Sequence, residues 1–284
     1  MHTYSQAFYL LKEQLTAIYD EREATAIAHE VMLHITQQDK LQRLTNKDNE
    51  LTHAQQDQFI MAQQDLLKGR PLQYIAGTSW FMNREFIVNE HVLIPRPETE
   101  ELVQWIIDDN NKHDAINIFD IGTGSGCIPI SLKLALPAAS VATCDISAQA
   151  LEVAATNAKK LSADIQFIGM DILDTEQQSS TGVYDIIVSN PPYIPVSEKE
   201  NMHRNVKDHE PAIALFVPND DALLFYRAIA QYGKTHLVQN GYIYCELESS
   251  HAQETKALFE LMGYNNVEIR KDMHGNWRML KAQE

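Results

Sequence analysis

From Met1 to about residue 75, apolar residues recur at intervals of three and four and never alternate. That spacing belongs to helices that each bury one face. Phe8, Leu11, Leu15 and Ile18 form one stripe, and Ile27, Val31 and Ile35 form a second after the charged stretch Asp20-Glu21-Arg22-Glu23. A third helix is expected to start at Thr52, with Gln55 as its capping-box partner and Phe59, Ile60 and Leu66 on its apolar face. Lys68-Gly69-Arg70-Pro71 ends it, because the glycine leaves the helix and the proline cannot continue it. Residues 1–75 therefore predict a small helical bundle.

From about residue 115 the pattern changes to short β-branched runs separated by helical stretches. Strands are expected at 116–121, 141–145, 165–168, 184–189, 242–245, 267–270 and 277–280. Helices are expected after the first strand to Leu136, from Ser147 to Leu161, near 221–233 and near 252–262. Repeated strand–helix units imply a mostly parallel, seven-stranded, Rossmann-like α/β sheet with helices on both faces. The last two strands have only His274-Gly275-Asn276 between them, which implies an antiparallel edge. Residues 76–94 read as a hairpin-like connector and 95–284 as the α/β domain. In that domain Pro97 suits the first turn of a helix from Glu98 to Asp108.

Composition changes this picture little, but it narrows the class of partner. The chain has 284 residues, with 39 acidic against 23 basic side chains and a net charge of −16. Such a field repels phosphate backbones, so no direct nucleic-acid partner is expected. No apolar run approaches the roughly 20 residues that cross a bilayer, and the first residues lack a basic and then apolar leader. No membrane partner is expected, and the location is read as cytoplasmic. Cys127, Cys144 and Cys245 are odd in number, far apart and flanked by apolar residues, which suits reduced buried thiols rather than a disulfide framework. His29 and His34 are five apart, so their imidazoles diverge by about 140° on a helix, and no metal is expected.

Three constellations carry chemistry. The first is the turn Gly122-Thr123-Gly124-Ser125-Gly126, directly after the first strand of the sheet, with Asp145 at the end of the second. Glycines let the backbone approach a ligand, and a carboxylate at that strand end suits two ribose hydroxyls. The GxGxG spacing does not require a pyrophosphate, so the expected ligand is adenosine carrying a small amino acid: S-adenosylmethionine. Asp171 follows the third strand, where it suits the adenine amino group, and Ile172 suits the ring.

The second constellation is Asn190-Pro191-Pro192-Tyr193, after the fourth strand. The Asn190 side-chain oxygen and the Pro191 carbonyl are two adjacent acceptors that suit the two donors of a planar NH₂. The prolines stiffen the loop, and Tyr193 offers a flat face. A side-chain amide and the exocyclic amine of a base both satisfy these residues. So does a module that binds the donor without turnover. The third constellation is Ile94-Pro95-Arg96-Pro97-Glu98-Thr99-Glu100, placed to lie over the carboxyl edge of the sheet. His203, Arg204, Lys207 and His209 follow the Asn190 loop, as either a flap over substrate or a solvated loop.

The chain resembles the bacterial peptide chain release factor glutamine N5-methyltransferases nearly end to end. The resemblance rests on Pro71-Leu72-Gln73-Tyr74-Ile75 with Gly77, the Ile94–Glu100 segment, the Gly122–Gly126 turn, Asp145 and the Asn190–Tyr193 loop. It continues in Glu210-Pro211, Ala214-Leu215, Tyr226-Arg227, Asp272, Gly275 and Arg278. It implies a class I S-adenosylmethionine-dependent methyltransferase domain and an N-terminal helical domain that helps dock the protein substrate. The implied reaction methylates the Gln side-chain amide in the Gly-Gly-Gln loop of class 1 release factors. It further implies donor contacts at Gly122, Thr123, Gly124, Ser125, Gly126, Asp145 and Asn190. The amide would be held by Asn190, Pro191, Pro192 and Tyr193, in a protein expected to be a monomer.

Overall fold

The computed structural model describes residues 1–110, 115–179 and 181–284. By its contacts the chain divides into two compact units, one of residues 1–77 with 203–209, the other of 78–202 with 210–284.

The first unit contains α1 (Tyr4–Leu15), α2 (Glu21–Thr36), α3 (Lys40–Thr45), α4 (His53–Leu67) and α5 (Leu72–Ala76). Four of these helices start on a side chain that accepts from the third residue on: Thr3, Asp20, Asp39 and Thr52. Each such cap satisfies a backbone N–H that the helix itself leaves open. The expected Thr52–Gln55 box is present in both directions. Ala7, Leu11, Leu15, Ala28, Met32, Leu51 and Phe59 fill the core. Two expectations fail. Ile18 lies beyond the end of α1 and is exposed, and Ile60 is exposed while Ala62, two positions on, turns inward. The face of α4 that meets the core carries Phe59, Ala62 and Leu66, and Ile60 falls off it. The segment His203–His209, with its single helical turn, joins this unit.

The second unit opens with the hairpin β1 (Thr78–Phe81) and β2 (Arg84–Ile87), followed by α6 (Pro97–Asp109). The sheet strands are β3 (Asn117–Ile121), β4 (Ser140–Asp145), β5 (Gln166–Gly169) and β6 (Tyr184–Ser189). A minor pair, β7 (Ile194–Pro195) and β8 (Phe216–Val217), forms a separate short sheet without a counterpart in the sequence reading. The main sheet is completed by β9 (Leu237–Glu246), β10 (Asn265–Lys271) and β11 (Trp277–Gln283). Among the described residues its order is β10-β11-β9-β6-β3-β4-β5, parallel except that β11 is antiparallel to both neighbours. Helices α7 (Cys127–Ala135), α8 (Ala148–Leu161), α11 (Leu224–His236) and α12 (Ala252–Leu261) cover its faces. The short helices α9 (Thr175–Gln178) and α10 (Arg204–Lys207) lie in connections.

Strand periodicity sorts the core into two layers. On β9, Ile243 and Cys245 face the layer of Ile229, Tyr232 and Phe259, while Tyr244 faces that of Trp105, Ile128 and Leu132. On β6, Ile187 and its neighbours Ile186 and Val188 divide the same way. Both faces are buried, so these strands read as continuous apolar runs. The three cysteines are free and buried.

Candidate active site

The register of the central strands puts the site in one row. Cys245 on β9, Ser189 on β6, Ile121 on β3 and Cys144 on β4 are successive partners across the sheet. The next residues are Glu246, Asn190, Gly122 and Asp145. From β3 the chain steps to β4 and β5 on one side, then returns to β6 on the other. Open α/β sheets bind ligands at such a reversal, outside the carboxyl ends of the strands. A cavity of about 280 Å³ lies there. Its lining includes Gly122, Thr123, Gly124, Ser125, Asp145, Asp171, Ile172, Asn190, Pro191 and Pro192.

On the β3–β4 side the turn is tied down by the backbone N–H groups of Gly122 and Thr123, which donate to the Cys144 carbonyl at 2.9 and 3.0 Å. Gly122 and Gly124 adopt φ of +80° and +52°, and a Cβ at either would meet no protein atom within 4 Å. Both glycines line the cavity. Gly126 differs, because a Cβ there would come within 2.9 Å of Ile130. Its lack of a side chain serves the packing of α7, and Gly126 is absent from the cavity lining. Asp145 accepts from the backbone N–H of Gly124 at 3.0 Å and of Ser147 at 2.9 Å, one on each oxygen. The carboxylate keeps acceptor capacity for an outside donor. Burial pushes this carboxyl above its usual range, against those backbone hydrogen bonds. Asp171 accepts from Leu173 N–H at 2.8 Å, and Ile172 is buried at the cavity wall. An open glycine cradle, a carboxylate with spare acceptors and an apolar wall suit an adenosine-bearing donor.

On the β6–β9 side, Asn190 Nδ2 donates to Thr99 Oγ1 at 3.2 Å. Thr99 Oγ1 donates to Glu246 Oε2 at 2.6 Å, and Tyr193 OH donates to Glu246 Oε1 at 3.2 Å. Thr99 and Glu246 are each only 2% exposed. Burial pushes the Glu246 carboxyl up, while Thr99, the Arg278 charge and Tyr193 pull it back. Tyr193 does not line the cavity. Its ring packs beside the Tyr226 layer of the core, and burial beside Glu246 raises its phenol. The Ile94–Glu100 segment arrives as expected. Pro97 occupies the first turn of α6, and Arg96 donates to the buried carboxylate of Glu210 at 2.7 Å.

Glu246 is the residue that the sequence motifs leave out of the site; Thr99 lies in the Ile94–Glu100 segment they single out, but with no contact of its own assigned. A signal for Glu246 exists: it is an acidic residue directly after the apolar run Tyr242–Cys245, at the carboxyl end of a central strand. No such signal says what Thr99 touches, because it meets Glu246 only through the packing of α6 against β9.

This sheet order, with its one reversed strand, the open glycine turn and the acidic end of β4, defines a class I S-adenosylmethionine-dependent methyltransferase. The family model for the methyltransferase small domain matches residues 99–208, and that for the PrmC N-terminal domain matches residues 6–77. The release factor glutamine methyltransferase of Flavobacterium psychrophilum is 42% identical over 273 residues, 95% of each chain. That of Bacteroides thetaiotaomicron is 40% identical over 96% of this chain and 97% of its own. The chain belongs to the release factor glutamine methyltransferase family. In fold alone it resembles a methyltransferase from Pyrococcus furiosus, with a TM-score of 0.52 at 15% identity over 82% of this chain and 98% of the other.

Proposed function

We propose that this chain methylates the side-chain amide nitrogen of the glutamine in the Gly-Gly-Gln loop of class 1 peptide chain release factors. The observation that carries the reading is Asn190, whose Nδ2 is spent on Thr99 at 3.2 Å while the residue lines the same cavity as the open glycine turn. Its Oδ1 is thereby left as an acceptor for an incoming NH₂. The Pro191 carbonyl is the second acceptor, held by a loop that Pro191 and Pro192 stiffen. Family membership favours a protein amide over a base, and so does the net charge of −16.

Gly122, Thr123, Gly124, Ser125, Asp145, Asp171 and Ile172 hold the donor, with Asp145 on the ribose and Ile172 on the adenine. Gly126 supports that turn from behind. Bound S-adenosylmethionine supplies a methyl on a positive sulfur: the C–S bond breaks as N–C forms, a thioether leaves, and the surplus amide proton passes to solvent. An amide nitrogen is a poor nucleophile because its lone pair is delocalised. Accepting both of its protons returns electron density to nitrogen, and holding it in line removes the entropic cost of encounter. Asn190 and Pro191 touch the amide, Pro192 shapes the loop, and Tyr193 braces it through Glu246. No helix among the described residues is long and apolar enough to cross a membrane. We read the enzyme as a cytoplasmic monomer that meets its substrate with help from the helical unit.

Transfer of tritium from labelled donor to a purified class 1 release factor tests this reading, with a Gln→Ala variant of the Gly-Gly-Gln loop and duplex DNA as controls. Label is expected only on the intact loop. Label on DNA, or equal label on the Ala variant, would overturn it.

A further inference from the structure

Glu246 lies one strand away from Asn190 and touches neither the amide-accepting oxygen nor the glycine turn. It nevertheless sits under both halves of the Asn190 loop. One oxygen takes the hydroxyl of Thr99 at 2.6 Å and the other that of Tyr193 at 3.2 Å. A charged carboxylate only accepts hydrogen bonds. The proton of Thr99 is therefore committed to Glu246, and the oxygen of Thr99 can offer Asn190 nothing but a lone pair. The group of Asn190 that faces Thr99 must then be its NH₂, as observed at 3.2 Å. That conclusion follows from donor and acceptor chemistry and does not depend on telling nitrogen from oxygen in the amide.

We propose that Glu246, acting through Thr99, is a positioning residue that sets which end of the Asn190 carboxamide meets the substrate. The inference rests on the amide-methylation reading above and adds its control. With Glu246 charged, the Asn190 oxygen faces the incoming NH₂. A neutral donor at position 246 releases the Thr99 proton toward Asn190, and the carboxamide can then turn. Turned, it presents its own NH₂ to the substrate NH₂, donor against donor.

Hydroxyls donating into both of its oxygens suit a charged Glu246, and its burial makes that state sensitive to acid. Burial, the largest influence, pushes the carboxyl up with Glu98 on α6, while Thr99 on α6, Arg278 on β11 and Tyr193 on the loop favour the charged form. On α11, Tyr226 OH donates to the Glu246 backbone carbonyl at 3.1 Å, which fixes the residue without touching its carboxylate.

The experiment compares wild type with Thr99→Val, Thr99→Ser and Glu246→Gln, using an intact class 1 release factor at saturating donor. Thr99→Val keeps the shape and removes the hydroxyl. We expect kcat to fall about 10- to 100-fold, the range for loss of a supporting contact behind a functional group. Donor affinity, release-factor KM and thermal midpoint stay near wild type, and Thr99→Ser restores kcat. Wild-type kcat declines on the acid side of neutrality, and Glu246→Gln is low without that limb. Wild-type kcat in a folded Thr99→Val overturns the inference, as does an acid limb that survives in Glu246→Gln. If Glu246→Gln does not fold, the Thr99 pair decides alone. A wild type that leaves the glutamine unlabelled sinks the parent reading and this one together, which is distinct from a fully active Thr99→Val.

Discussion

The carboxamide of Asn157 satisfies both backbone polar groups of Ile87, accepting from its N–H at 2.7 Å and donating to its carbonyl at 2.9 Å. The same Nδ2 also donates to the Ser125 carbonyl at 2.9 Å. One fully buried side chain on α8 thus joins the hairpin to the glycine turn. Asn157→Leu keeps the approximate volume and strands three backbone groups. Unfolding free energy should fall by at least about 2 kcal/mol, given the cost of buried unpaired polar groups. Affinity for S-adenosylhomocysteine should weaken as well, because the Ser125 carbonyl loses its anchor. Chemical denaturation and calorimetric titration check the two effects, and a variant unchanged in both would refute the link.

Asn190→Ala removes the acceptor that faces the amide. Turnover should drop roughly 10²–10³-fold, as for loss of one preorganised polar group, while donor affinity falls less. Single-turnover rates at saturating donor measure this directly. Turnover within threefold of wild type would take Asn190 out of the reaction.

In the proposed ribose role, Asp145 accepts best when charged. Burial raises its carboxyl in the free protein, so donor affinity should begin to fall, as acid is added, at a pH above the ordinary carboxylate range. Asp145→Asn should bind the donor about 1–3 kcal/mol more weakly near neutrality, the size of a charge-assisted contact. Its affinity should also lose the acid dependence. Titrations of S-adenosylhomocysteine at several pH values decide, and parallel curves for the two proteins would count against the ribose role.

Asp120, at the inner end of β3, makes the matching prediction for stability. It is fully buried, and burial pushes its carboxyl up to about 7 against a hydrogen bond from Thr143, with Asp145 adding to the rise. Thr143 donates to its Oδ2 at 2.7 Å. The folded state thus holds the proton more tightly than the unfolded chain does. The stability that Asp120 contributes is greatest at acid pH and is lost as pH rises through the folded value. Between pH 4 and 8 the loss should be roughly 2–4 kcal/mol, taking an unfolded value near the ordinary one for Asp. Asp120→Asn should match wild type at low pH and exceed it at pH 8. Denaturant midpoints across that range test it, and identical pH profiles would show that Asp120 stays charged.

Local sequence determined a large part of this protein. Caps and stripes fixed α1, α2 and α4, because a helix start needs only neighbours to satisfy its open N–H groups. Apolar runs of strand length fixed the seven strands, and the glycine turn and Asn190 loop announced their chemistry because both work through contiguous backbone. Tertiary structure alone decided the rest. Ile18 and Ile60 fit a stripe but face solvent, since which face is buried depends on the partner helix. His203–His209 reads as a flap or a solvated loop, yet it joins the helical unit, a contact between segments some 130 residues apart. Thr99, Asn190 and Glu246 lie on three separate elements. The register of β9 beside β6 sets Glu246 next to Asn190, and the packing of α6 against β9 brings Thr99 to both. A chain shows what each residue can donate or accept; which donor meets which acceptor is fixed when the strands align.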